Sequence, residues 1–123
     1  MSLKIDIREL PEAVILDLKG QLTLGESLVD FRDTIRESLS GDRKNILLNL
    51  AGVTYIDSSG LGQLVGSYAT VTNGGGRLKL LHLQKRVNDL LQVTKLLSVF
   101  ESYESEPAAL NSFKASKETR AGG

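Results

Sequence analysis

The chain has 123 residues, 15 Lys plus Arg balanced by 15 Asp plus Glu, and no Cys. That length suits one domain with one core, and the balanced charge supplies no field that would steer the chain to nucleic acid or anionic lipid. Without cysteine there is no disulfide framework, no thiolate metal site and no cysteine catalysis. No apolar run reaches the roughly 18 residues that span a bilayer, and MSLKIDIREL lacks the basic start and long apolar centre of a secretory signal, so a soluble cytoplasmic protein is expected.

Leu3, Ile5 and Ile7 alternate with polar residues and predict an edge strand. Leu10-Pro11-Glu12 predicts a turn, and AVILDLKG, apolar on both faces, predicts a more buried second strand that Gly20 closes. From Leu24 the apolar positions Leu24, Leu28, Phe31, Ile35 and Leu39 fall at helical spacing, with Ser40-Gly41-Asp42 as the stop. The run ILLNL, apolar on both faces except for Asn49, reads as a central strand covered by helices.

Leu61, Leu64, Val65 and Tyr68 then fall at i, i+3, i+4 and i+7, which predicts a second amphipathic helix. Asn73-Gly74-Gly75-Gly76 ends it, with Asn73 or Gly74 in the left-handed conformation that closes helices. RLKLLHL predicts a strand with Leu78 and Leu80 on one face and Leu81 and Leu83 on the other. Val87, Leu90 and Leu91 predict a third short helix, and Leu97, Val99 and Phe100 a last short strand. Pro107 sits where a first-turn helical proline would, ahead of Leu110 and Phe113. The domain is expected over residues 1–113, with 114–123 a disordered tail. The order implies an α/β domain with a mixed, mostly parallel sheet of four to five strands, an N-terminal antiparallel hairpin and about four helices.

The chemistry concentrates in ILLNLAGVTYIDSSGLG, a strand running through two serines into a helix. A hydrolase nucleophile on such a turn needs Gly two residues before and two after, whereas Ser58 is preceded by Ile56 and Ser59 by Asp57. The single His82 falls inside a strand pattern, away from any role as base, and the scattered carboxylates show no metal-ligand spacing. The NGGG tract lacks the Lys and Ser or Thr of a phosphate loop and precedes a strand. The serine segment is therefore not expected to catalyse. A helix N-terminus does favour an anion, and one cap requires only one of Asp57, Ser58 and Ser59. Gly60 and Gly62 cost helix propensity and are expected to leave open ground for a partner's backbone.

LNLAGVTYIDSSGLGQLVG resembles the signature of the STAS superfamily, specifically of bacterial anti-sigma factor antagonists. GQLTL at residues 20–24, the GGGRLKL turn and strand, VNDLLQVTKL and VFESYESEPAAL follow in the family's order, so the resemblance covers residues 3–113. It implies that Ser58 is phosphorylated by an ATP-dependent anti-sigma factor serine kinase and reset by a serine phosphatase. Asp57, Ser59, Gly60, Leu61, Gly62, Thr23 and Leu24 would form the partner surface. The implied function is a protein–protein switch that frees a sigma factor, with no cofactor, metal, membrane or direct nucleic-acid contact. Many family members carry Asp where this chain has Thr23, which reads either as helix entry, with Thr23 or Gly25 near the cap, or as a partner surface altered beside Ser58. Two other roles are open to the same fold: a non-switching scaffold or subunit of a transport or stress-signalling complex, and a module binding a small molecule or nucleotide at the helix N-terminus.

Overall fold

The computed structural model describes residues 3–40 and 43–122, with side chains through Lys114. Five strands and four helices follow one another among these residues as β1 (Leu3–Glu9), β2 (Val14–Leu22), α1 (Glu26–Ser38), β3 (Asn45–Ile56), α2 (Ser58–Asn73), β4 (Arg77–Leu81), α3 (Lys85–Val93), β5 (Ser102–Tyr103) and α4 (Glu106–Gly122). The strands lie in the order of the chain, β1-β2-β3-β4-β5. Only β1 with β2 is antiparallel; the other three pairs are parallel.

Parallel neighbours in sequential order require each crossover to pass over the sheet in the same sense, and the core shows the result. Phe31 and Ile35 of α1, Leu64 and Val71 of α2, and Val87 and Leu91 of α3 share one cluster with Leu16, Leu48 and Leu80 of the sheet. The opposite face belongs to α4, whose Ala109 and Phe113 pack on Ala13, Ile15, Leu47 and Leu81. The alternation Ile46, Leu47, Leu48 thus feeds two cores from one strand.

Several boundaries differ from the sequence expectation. Gly20 does not close β2; at φ 124° it bends the strand, the register shifts between Gly20 and Gln21, and pairing continues to Leu22. Leu24 lies outside α1 and is 77% exposed, because Gly25 turns the chain before the helix begins. Gly41 and Asp42, expected as its stop, lie outside the described residues. Gly75, at φ 86°, takes the left-handed conformation expected of Asn73 or Gly74. A Cβ on Gly76 would come within 1.9 Å of the Lys44 carbonyl oxygen, so this glycine is required where β4 starts beside β3. His82 has φ 56° and ends β4, which turns Leu83 back toward the first core. Leu97, Val99 and Phe100 are not a strand. Phe100 is buried with its ring edge-on to Tyr68 at 5.3 Å, and the last strand forms two residues later at Ser102–Tyr103. The α4 backbone is helical from Glu106 to Gly122, and its side chains from 115 onward lie outside the described residues.

Polar ties through Arg8 and Lys79 help to hold α4, beside a 3.8 Å approach of Lys114 to Glu12. The Arg8 guanidinium donates to Asp17 at 2.6 and 3.0 Å and to Glu106 at 2.7 and 3.1 Å, so it joins β1, β2 and the first turn of α4, and it holds the Asp17 carboxyl below the usual range. The Lys79 side chain, 1% exposed, donates to Ser112 Oγ at 2.9 Å, lies 3.4 Å from Glu101 and sits 4.7 Å from the centre of the Phe113 ring. Burial lowers the pKa of its ammonium, and the Glu101 charge opposes that shift. In the interval between the lowered value and the ordinary 10.5, the unfolded chain holds a proton that the folded chain has released, so stability from this residue rises as pH rises. Lys79→Met is expected to remove that rise and to be neutral or stabilising near pH 7, by about 1 kcal/mol, in urea unfolding followed against pH. Ser67, 2% exposed on α2, has a hydroxyl with no hydrogen-bond partner among the described residues; Ser67→Ala is expected to raise stability by about 1 kcal/mol in the same assay.

Candidate functional site

The β3–α2 junction is built around one carboxylate. Asp57 leaves β3 with extended backbone (φ −92°, ψ −178°) and is the N-cap of α2. Its Oδ1 accepts the Gly60 N–H at 2.7 Å, while Oδ2 accepts the Leu24 N–H at 3.1 Å. The Asp57 N–H in turn donates to the Leu22 carbonyl at 3.3 Å. One side chain therefore fixes the helix start and the β2–α1 loop together. Accepting from Gly60 above all, and from Leu24 next, holds the Asp57 carboxyl below its usual range, and it is ionised at neutral pH.

With Asp57 as the cap, the serines are released from that duty. Ser58 and Ser59 open the first turn of α2; Ser58 is exposed and Ser59 half-buried. Among the described residues neither hydroxyl has a hydrogen-bond partner. The Ser58 hydroxyl thus stands free at the positive end of a 16-residue helix. His82 lies past the end of β4 in a cleft with Ala51, Leu83, Gln84 and Glu104, and no group of His, Asp and Glu suited to a metal ion occurs among the described residues.

The two glycines of the motif have opposite roles. Gly62 has nothing within 4 Å of where a Cβ would stand and is exposed, as open ground requires. Gly60 is buried, and a Cβ there would come within 2.0 Å of the Leu22 carbonyl oxygen. Its expected role as open surface is corrected, since the missing side chain lets α2 start against the end of β2. Leu61 is half-buried and packs on the first core. Thr23 is half-buried and Leu24 projects from the loop that Asp57 holds. Sequence reasoning missed the apolar groove of about 280 Å³ that begins at Tyr55 and Ile56 and continues along Val87, Leu90 and Val93, with Arg86 and Asp89 at its rim. Tyr55, 45% exposed, and Val93, 80% exposed, were the available signal, but helical spacing cannot tell an apolar residue facing the core from one facing water.

These features place the chain in a class defined by fold and junction together. The STAS domain family model matches residues 4–109, and the chain belongs to that family. It is 28% identical over 111 residues to the anti-sigma F factor antagonist of Paenibacillus polymyxa, covering 89% of this chain and 94% of the relative. It is 27% identical over 104 residues to the anti-sigma-B factor antagonist of Bacillus subtilis (strain 168), covering 82% and 91%. The fold matches the anti-sigma factor antagonist SpoIIAA in its unphosphorylated form with a TM-score of 0.76 at 21% identity, covering 91% of this chain and 97% of that one. The Bacillus cell fate determinant SpoIIAA in its phosphorylated form matches at 0.67 and 22%, covering 86% and 96%.

The glycines supply a test of opposite signs. Gly60→Ala is expected to destabilise by roughly 1 to 3 kcal/mol, because backbone must move. Gly62→Ala is expected to stabilise by up to about 1 kcal/mol through helix propensity. Urea denaturation of the two variants beside the parent chain reads both.

Proposed function

We propose that this chain is an anti-sigma factor antagonist whose hold on an anti-sigma factor serine kinase is switched by phosphorylation of Ser58. The observation that carries the reading is the division of labour at the junction: Asp57 caps α2, and the Ser58 hydroxyl is left exposed and unengaged. The relatives described as anti-sigma factor antagonists, and the solution of SpoIIAA in both unphosphorylated and phosphorylated forms, support it. The setting implied is the bacterial cytoplasm, where an anti-sigma factor bound by the antagonist releases its sigma factor.

In the reaction, Ser58 Oγ forms a bond to the γ-phosphorus of ATP, ADP leaves, and the hydroxyl proton passes to the kinase. The chain is the substrate and supplies position. Asp57 caps the helix on which Ser58 stands and holds the Leu24 loop to the same carboxylate. The product places about −1.5 to −2 charges one residue from the ionised Asp57. Free in solution, water screens this repulsion and the helix N–H groups offset part of it. In a complex closed over the unmodified hydroxyl, the phosphate would lose that water without gaining a cation, so binding falls with no refolding of the domain. A serine phosphatase restores the hydroxyl and the affinity.

Incubation with a purified anti-sigma factor kinase and ATP, followed by mass mapping, is expected to place one phosphoryl group on Ser58. Ser58→Ala is expected to bind the kinase with or without ATP, and Ser58→Glu at least about tenfold more weakly. Gly62→Ala, folded and stable, is expected to bind more weakly by obstructing close approach. Equal binding by the Ala and Glu variants would sink the switch and leave a constitutive scaffold. Thermal stabilisation of the isolated chain by nucleotide would favour a ligand-binding module instead.

A further inference from the structure

The two edges of the sheet are unlike. β5 is two residues long, too short to template another strand, as protected edges are. β1 has seven residues and pairs with β2 from Leu3↔Gly20 to Glu9↔Val14 without a register shift. No element pairs with its outer side among the described residues. It contains no proline and no bulge, and Ile7 is 52% exposed on it.

We propose that β1 pairs antiparallel with β1 of a second copy of this chain, about a twofold axis at Ile5, joining two five-stranded sheets into one. A twofold axis perpendicular to a continuous sheet keeps each face on its own side, so odd residues meet odd residues and even meet even. Centred on Ile5, Lys4 of each copy faces Asp6 of the other, Leu3 faces Ile7, and Ile5 faces Ile5. Lys4 and Asp6 then each meet an opposite charge, and the exposed Ile7 is covered by an apolar partner.

The neighbouring registers lack this complementarity. Centred on Asp6, Lys4 would face Arg8 twice and Asp6 would face Asp6. Centred on Lys4, Lys4 would face itself. Centred on Ile7, Asp6 would face Arg8, whose guanidinium is already engaged by Asp17 and Glu106, and Glu9 would face Ile5. Lys4 and Asp6 are free to re-pair, because their only contact is a 3.9 Å approach to each other with side chains 72% and 63% exposed. The pairing leaves both junctions open. Since the two sheets run in opposite directions, the two Ser58 residues stand at opposite rims of the combined sheet, each accessible to its own partner.

Sedimentation of the full chain over a concentration series up to about 1 mM is expected to show a reversible monomer–dimer equilibrium. Lys4→Asp and Asp6→Lys, each placing like charges across the axis, are expected to weaken the dimer at least about tenfold, and the double exchange K4D/D6K to restore it. Circular dichroism melts check that all three fold. Because the chain has no cysteine, Ile5→Cys reports the register directly: opposed residues in an antiparallel pair have Cα atoms about 4.5 to 5.5 Å apart, within disulfide range, and oxidation is expected to link two copies. A chain that stays monomeric throughout would overturn the proposal. So would a dimer indifferent to the charge exchanges, as an association through the Tyr55–Val93 groove would be, or one that Ile5→Cys fails to link.

Discussion

The Asp57 carboxylate ties together segments that are 33 residues apart in sequence, taking the Leu24 N–H on one oxygen and the Gly60 N–H on the other. A helix N-terminus has N–H groups that lack intrahelical partners, and a loop leaving a strand has the same deficit. Satisfying both with one ionised group sets the angle at which α2 leaves the sheet and the place where the β2–α1 loop must run. Everything proposed for Ser58 depends on this. Were Ser58 or Ser59 the cap, its hydroxyl would be consumed by the backbone, and phosphorylating it would break the helix start. With Asp57 in that position, a serine in the first turn can gain and lose charge while the fold stays intact.

The two faces of the sheet separate stability from exchange. Three helices cover one face with an apolar core, whereas α4 covers the other through a small apolar footprint assisted by Arg8 and the buried Lys79. Neither tie reaches the rim where β2 and β3 end, so the Ser58 junction is free of the network that docks α4. The outer side of β1 is a third region, on a strand that Arg8 also ties to α4. The rim proposed for modification and the edge proposed for self-pairing therefore lie at different places on the sheet.

Periodicity was a reliable guide wherever one face was uniformly apolar. The spacings through Phe31 and Ile35, and through Leu64 and Tyr68, mark α1 and α2, and the double-faced apolar runs mark β2 and β3. It failed where backbone conformation or a distant contact decided the outcome. Gly20 reads as a terminator in sequence, yet its positive φ serves a bend within β2. Phe100 reads as a strand residue because it is apolar, yet it is buried at the end of a turn against Tyr68. Leu24 fits the α1 stripe by spacing and is excluded from it by the Gly25 turn. Tyr55 of β3 and Val93 of α3, which line the apolar groove, were legible as apolar positions, but spacing does not identify which surface such a position faces.

By itself the sequence determined the element order, the hairpin, the central strand and the strand-to-helix junction at the serine segment, because these depend on local chemistry and on side-chain periods that neighbouring residues share. It also excluded a nucleophile elbow, a phosphate loop and thiolate chemistry, since each requires residue types at spacings that are absent. Tertiary structure decided which of three candidate residues caps α2, that Gly60 faces inward while Gly62 faces out, and that Leu24 is brought to the Asp57 carboxylate. Those outcomes turn on contacts between segments distant in the chain, above all the approach of Leu22 and Leu24 to the start of α2, and no local pattern encodes such an approach.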